Sequence, residues 1–255
     1  MKRSMILSFL IVIMTGTLIF SSYLPHVKAV NVEITSVLPV TRRAEVGNKV
    51  FVSGTINTTD GLCILLFDGE EVNRTHAIGN EVNVTFIVPS LPGGNHTIIL
   101  RDEETKNIAT TGFYIIAAYY ITPELPEKPK QIQQNETVIL NLTITGGTAN
   151  ISYDINVTVE LPPPLNATGY SAVIEINTTD IGYGSTSIAY PDEVMFKPSG
   201  SSTNFTGNYT AYFDKIKDRA KTSFLVGLTD ASEYHREDLV SITALGYEAN
   251  KTPSI

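Results

Sequence analysis

The chain has 255 residues and a formal net charge of −8, with 18 Gly, 13 Pro, one Cys and no Trp. The acidic balance argues against nucleic acid or anionic lipid as a partner, since both repel such a surface. Ordinary Gly and Pro contents exclude a collagenous or low-complexity chain, and the single Cys63 excludes an intramolecular disulfide.

The first 29 residues have the layout of an export signal. Lys2 and Arg3 precede an apolar run from Met5 to Phe20, and Val27-Lys28-Ala29 ends it with a small residue. The run is short for a membrane span of about 20 residues, so cleavage after Ala29 is expected, with an uncleaved N-terminal anchor as the alternative. Removing Lys2, Arg3 and Lys28 takes the net charge to −11.

The remainder reads as strands. Gly47–Thr55 is an early strand. The apolar run Leu62–Phe67 holds Cys63, read as a buried small hydrophobe. Val82, Val84, Phe86 and Val88 alternate with polar residues. So do Val138, Leu140, Leu142 and Ile144, and then Ile155, Val157, Val159 and Leu161. Asp60-Gly61, Asp68-Gly69, Pro92-Gly93-Gly94, Gly146-Gly147 and Pro198-Ser199-Gly200 mark turns. Thr122–Lys130, rich in Pro and charge, reads either as a stiff interdomain segment or as an edge strand whose pairing Pro blocks. The expected class is all-β, built as sandwiches.

An internal repeat sets the domain count. Gly94-Asn95-His96-Thr97 returns as Gly207-Asn208-Tyr209-Thr210, and Ala109–Phe113 returns as Ala220–Phe224. The spacing, 113 and then 111 residues, is one sandwich domain. The matched segment reads as the last two strands, F and G, with His96 and Tyr209 at the corner position where an aromatic side chain bonds backbone. The expected organisation is a signal peptide over 1–29 and immunoglobulin-like sandwiches over 30–117 and 118–229. A partial third β domain, or a tail that pairs with the second sandwich, occupies 230–255.

Thirteen of the seventeen Asn residues open an Asn-x-Ser/Thr triplet, where 48 Ser and Thr in 255 residues would give about three by chance. They are Asn57, Asn73, Asn83, Asn95, Asn135, Asn141, Asn150, Asn156, Asn166, Asn177, Asn204, Asn208 and Asn250. The triplet accepts N-linked glycan on exported chains. In the alternating runs, Asn83/Thr85, Asn141/Thr143 and Asn156/Thr158 must share one face, with an apolar residue between them on the other. The expectation is that they mark the wet faces of one-sided sheets.

Val88-Pro89, Pro92–Ile98, the charged turn after it, Ala109–Phe113 and Asp238–Tyr247 together resemble the tandem immunoglobulin-like modules of prokaryotic, especially archaeal, surface proteins. The resemblance covers roughly 30–255. It implies scaffold, spacer or adhesion roles and carries no catalytic residue across. Paired Cys and Trp, the marks of antibody domains, are missing.

The residues offer little chemistry. His76, His96 and His235 are too scattered for a zinc site. The acidic groups Asp68/Glu70/Glu71, Asp102/Glu103/Glu104 and Asp192/Glu193 read as solvated turns rather than calcium ligands. Tyr119-Tyr120, Tyr183 and Tyr190 are the candidates for stacking on sugars, a third and weaker reading. No catalytic residue, cofactor or metal is expected. The expected function is a secreted or cell-surface, N-glycosylated structural or adhesive scaffold, meeting other envelope proteins or glycans, not nucleic acid. It would touch membrane only through an uncleaved N-terminal segment. The alternative is an accessory region of a larger exported enzyme or solute-binding receptor.

Overall fold

The computed structural model describes residues 31–127, 130–163, 165, 169–215, 218–227 and 236–237. The signal segment, Asn166, Asn250 and nearly all of the expected third β domain lie outside the described residues.

Sixteen strands and no helix appear among the described residues. In chain order they are β1 (Glu33–Leu38), β2 (Arg43–Ala44), β3 (Lys49–Thr55), β4 (Leu62–Phe67), β5 (Glu70–His76), β6 (Glu81–Ile87), β7 (Gly94–Asp102) and β8 (Ile108–Ile115), then β9 (Ala118–Glu124), β10 (Gln131–Gln133), β11 (Val138–Thr145), β12 (Ser152–Glu160), β13 (Tyr170–Asn177), β14 (Gly184–Tyr190), β15 (Gly207–Lys215) and β16 (Asp218–Gly227). Each set of eight makes a three-stranded and a five-stranded sheet. The orders are β1-β3-β6 with β2-β8-β7-β4-β5, and β14-β11-β9 with β10-β16-β15-β12-β13.

Both units split their first strand between the two sheets. β1 pairs antiparallel with β3, after which β2 crosses to pair parallel with β8. β9 pairs antiparallel with β11, and β10 crosses to pair parallel with β16. This is the immunoglobulin-like arrangement of two facing sheets. The repeated segments fall on the same strands, with β7 and β15 in one role and β8 and β16 in the other.

Period two explains which residues close each core. Val82, Val84 and Phe86 of β6, beside Val50 and Val52 of β3 in the same sheet, share one core with Leu65 and Phe67 of β4 and Ile98 and Leu100 of β7 in the other. In the second unit Val138, Leu140, Leu142 and Ile144 of β11 meet Ile155, Val157 and Val159 of β12. Aromatic clusters supply the bulk that Trp gives elsewhere. Phe67 lies 5.4 Å from Phe86 and 5.8 Å from Phe113, and Tyr190 lies 5.1 Å from Phe196. Ile98 and Ala211, fully buried, stand two residues beyond the corner aromatics, where antibody domains place a cysteine.

Those corners are built alike. Tyr209 Oη donates to the Phe205 carbonyl at 3.0 Å. His96 Nε2 donates to the Pro92 carbonyl at 2.8 Å, while its Nδ1 meets Asp68 at 2.6 Å. Each bond reaches back four residues and anchors the loop that enters β7 or β15. Stacking fixes each ring as well, His96 on Phe67 at 5.3 Å and Tyr209 on Phe224 at 5.2 Å.

The interdomain reading of Thr122–Lys130 is corrected. Its first residues belong to β9, an edge strand that carries Pro123 opposite Leu140, and the following residues lead to β10 within the same unit. Pro is tolerated there because an edge strand has one unpaired side. Between the units stand only Ile116 and Ala117. Glycines close the junction. Gly93 N–H donates to the Gly147 carbonyl at 2.9 Å, Gly147 N–H donates to the Gly182 carbonyl at 2.8 Å, and Tyr120 Oη reaches Glu45 at 3.2 Å.

Candidate functional site

The strands put the sequons on the outside. Of the eleven within the described residues, Asn73, Asn83, Asn95, Asn135, Asn141, Asn150, Asn156, Asn177 and Asn208 are exposed, and Asn57 and Asn204 are half-buried. Val84, Leu142 and Val157, the middle residues of the three threaded triplets, are buried, so register alone carries the alternation. Asn95 and Asn208 are each the second residue of their strand, β7 and β15. Asn57, Asn135, Asn150 and Asn204 lie between strands, and Asn135 and Asn150 take left-handed φ values of 64° and 53°, which Asn tolerates better than most residues.

Side-chain bonding separates these Asn residues. Ser53 donates to Asn83 Oδ1 at 2.7 Å. Asn73 is different: its Nδ2, the atom that carries a glycan, donates to the Thr85 carbonyl at 2.5 Å, and its Oδ1 accepts from the Arg74 amide. That bond ties the β5 edge of one sheet to the β6 edge of the other, so a glycan on Asn73, which leaves Nδ2 a single N–H, competes with it for the same atom. Asn177 Nδ2 bonds Glu175 at 3.3 Å on the open surface.

The acidic turns are occupied by their own backbone. Asp102 is fully buried. It accepts from the Thr58 amide and hydroxyl, both at 2.9 Å, and from the Glu104 and Thr105 amides at 3.0 and 3.2 Å. Burial works to raise its pKa, but the Thr58 hydroxyl with the Thr105, Thr58 and Glu104 amides outweighs burial and holds the carboxyl below its ordinary value. Asp68 accepts from the Thr97 amide and meets His96. Glu71 pairs with Arg74, and Asp192 accepts from the Val194 and Met195 amides. No group of three His, Cys, Asp or Glu among the described residues is placed to hold a metal ion.

Cys63 is buried in the first core, as its run implied, with its thiol pushed up to about 11 by burial and then by the Asp102 charge. A neutral, enclosed thiol is a poor nucleophile. Tyr190 is corrected as a sugar-stacking candidate: it is fully buried, donates to the Ser202 carbonyl at 3.2 Å, and packs among Phe196, Tyr209 and Phe224. Tyr119 is half-buried against the second core, while Tyr120 and Tyr183 are exposed.

Sequence reasoning missed the buried role of Asp102, whose partner Thr58 is 44 residues away. It also missed the exposed apolar side chains beside the sequons. Phe51 and Leu38 stand opposite each other on the outer face of the first three-stranded sheet, and Ile87 is exposed at the end of the same face. Lys49 lies over the Phe51 ring at 5.1 Å and Arg43 over Tyr114 at 4.6 Å.

No protein-family description matches the chain, and no curated protein is similar to it. Solved structures to which it is similar include immunoglobulin-like and fibronectin(III)-like domains. The human OSCAR ligand-binding domain shares 7% identity over 78% of this chain and 100% of that one, with a TM-score of 0.25. Fibronectin(III)-like modules of Clostridium thermocellum CbhA share 10% over 72% of this chain and 87% of that one, at 0.21. The trypsin-activated α2-macroglobulin of Escherichia coli shares 12% over 74% of this chain, at 0.27, and this chain spans 15% of its length. Similarity at this level transfers no chemistry.

Proposed function

We propose that the chain is an exported, N-glycosylated surface protein whose sandwiches act as a non-catalytic scaffold, spacer or adhesive arm. The observation that carries the reading is the placement of the sequons: nine of the eleven described Asn residues are exposed, and they fall on the outer faces of all four sheets and in the loops between. Sugars there would cover exposed apolar residues and sheet edges that otherwise invite association between chains. A two-residue link with closed glycine contacts suits a spacer, because it transmits orientation from one unit to the next. Acids held by backbone and a buried thiol leave these groups structural.

A load of sequons without disulfides suits a prokaryotic, archaeal envelope, with other envelope proteins or glycans as partners. Protease treatment of intact cells of the source organism tests the location. The chain is expected to be cleaved while a cytoplasmic marker survives. A chain protected until the cells are lysed would sink the proposal.

A further inference from the structure

Three of the six described triplets that lie wholly within strands share a feature of register. On the neighbouring antiparallel strand an aromatic residue stands opposite the Thr of each one. Phe51 of β3 is opposite Thr85, Tyr120 of β9 is opposite Thr143, and Tyr212 of β15 is opposite Thr158. Aromatic residues are 9% of the chain, so three such placements among six triplets exceed what composition alone supplies; Thr75, Thr97 and Thr210 stand opposite Cys63, Gly112 and Ser223 instead. Directly opposed residues share a face of the sheet, and so do residues two apart on one strand. Each aromatic therefore lies diagonal to Asn83, Asn141 or Asn156, roughly 7 Å away between backbones and within reach of a long group. Phe51 and Tyr120 keep 47% and 44% of their surface exposed, even with Lys49 over the Phe51 ring and the Tyr120 hydroxyl bonded to Glu45, so ring surface remains for a ligand. Asn95 shows a variant of the same relation, with Tyr114 directly opposite and 36% exposed.

We infer that these aromatics are seats for the first sugar of the glycan on the neighbouring strand, with Phe51 serving Asn83 and Tyr120 serving Asn141. The inference rests on the glycosylation reading above and names what the glycan touches. A pyranose ring has an apolar face of C–H bonds, and the negatively polarised face of an aromatic ring attracts it. The covalent bond to Asn Nδ2 removes most of the entropy cost of bringing the two together. Nδ2 of Asn83 makes no hydrogen bond among the described residues, while Ser53 holds the Oδ1 of the same amide. Asn73 lacks the arrangement: its Nδ2 is bonded to Thr85, and Leu65 and Cys63, both buried, stand opposite it and its Thr75.

The test uses the chain secreted from a glycosylating host and trimmed enzymatically to one N-acetylglucosamine per site, beside bare chain from a non-glycosylating host. Thermal unfolding is measured for the parent, Phe51→Ala, Asn83→Gln and the double variant, and occupancy of Asn83 is measured by mass spectrometry. In the trimmed protein Phe51→Ala is expected to lower the Tm by about 4 °C more than in the bare protein, the scale of one aromatic contact in a domain of this size. The extra loss should vanish in the Asn83→Gln background. Nuclear Overhauser contacts between sugar and Phe51 ring protons are expected in the parent. Equal losses with and without sugar, at an occupied Asn83 that shows no such contacts, would overturn the seat and leave glycosylation standing. A bare Asn83 in the secreted chain would overturn both.

Discussion

Asp102→Ala is expected to cost the first sandwich about 3–4 kcal/mol and to lower its thermal midpoint by on the order of 10–20 °C. The carboxylate is fully buried and closes the β7–β8 turn through the Glu104 and Thr105 amides. It also fixes the loop after β3 through both donors of Thr58. Alanine strands these donors, and a buried unsatisfied donor costs about 1–3 kcal/mol. The second unit has Lys215 at the equivalent strand end, so its transition should not move.

The same residue predicts a pH response. Its folded pKa lies below the ordinary carboxylate value. Its contribution is therefore complete above the unfolded value of about 4 and is lost as pH falls through the folded value. Thermal scans between pH 2 and pH 7 should show the first transition falling steeply at the acid end in the parent and more shallowly in Asp102→Asn. Parallel acid slopes in the two proteins would contradict the assignment.

Gly93→Val is expected to open the junction between the units while leaving both sandwiches folded. A Cβ on Gly93 would lie 2.1 Å from the Gly146 carbonyl oxygen, where ordinary contact begins at 3.4 Å. The two loops must part by about 1 Å to relieve that contact. The 2.9 Å bond from Gly93 to Gly147 does not survive such a shift. Gly182→Val meets a similar obstacle, 2.2 Å from the Gly147 oxygen, and adds the strain of a side chain at φ +69°. Small-angle scattering should change from a profile that fits one fixed arrangement to one that needs several, with each unit's midpoint lowered by only about 1–5 °C. An unchanged profile would show that the glycine contacts do not set the angle between the units.

The parts of this fold that were legible are those with local causes. Alternation in Val138–Ile144 and Val82–Val88 placed strands and faces because a side chain's side depends only on its position along its own strand. The pairing of His96 with Tyr209 placed the corners because the repeat carries them. Non-local features were not legible. The true link, Ile116-Ala117, lies in an apolar run from Tyr114 to Ile121 with no shift in composition, while the Pro-rich stretch that looked like a link serves the crossing from β9 to β10. Burial of Tyr190 was readable from Ile188 two residues earlier on the same face. The aromatic opposite the Thr of three sequons emerges only when residues 23 to 54 apart in the chain are brought into register.

Site-by-site glycan occupancy, measured by mass spectrometry on protein isolated from its source organism, decides whether the sequons are used. Sugar is expected on Asn83, Asn95, Asn141, Asn156 and Asn208, with the lowest occupancy at Asn73, whose amide is already bonded. Bare Asn at all of these positions would contradict this expectation and leave two Thr-rich sandwiches with exposed aromatic faces.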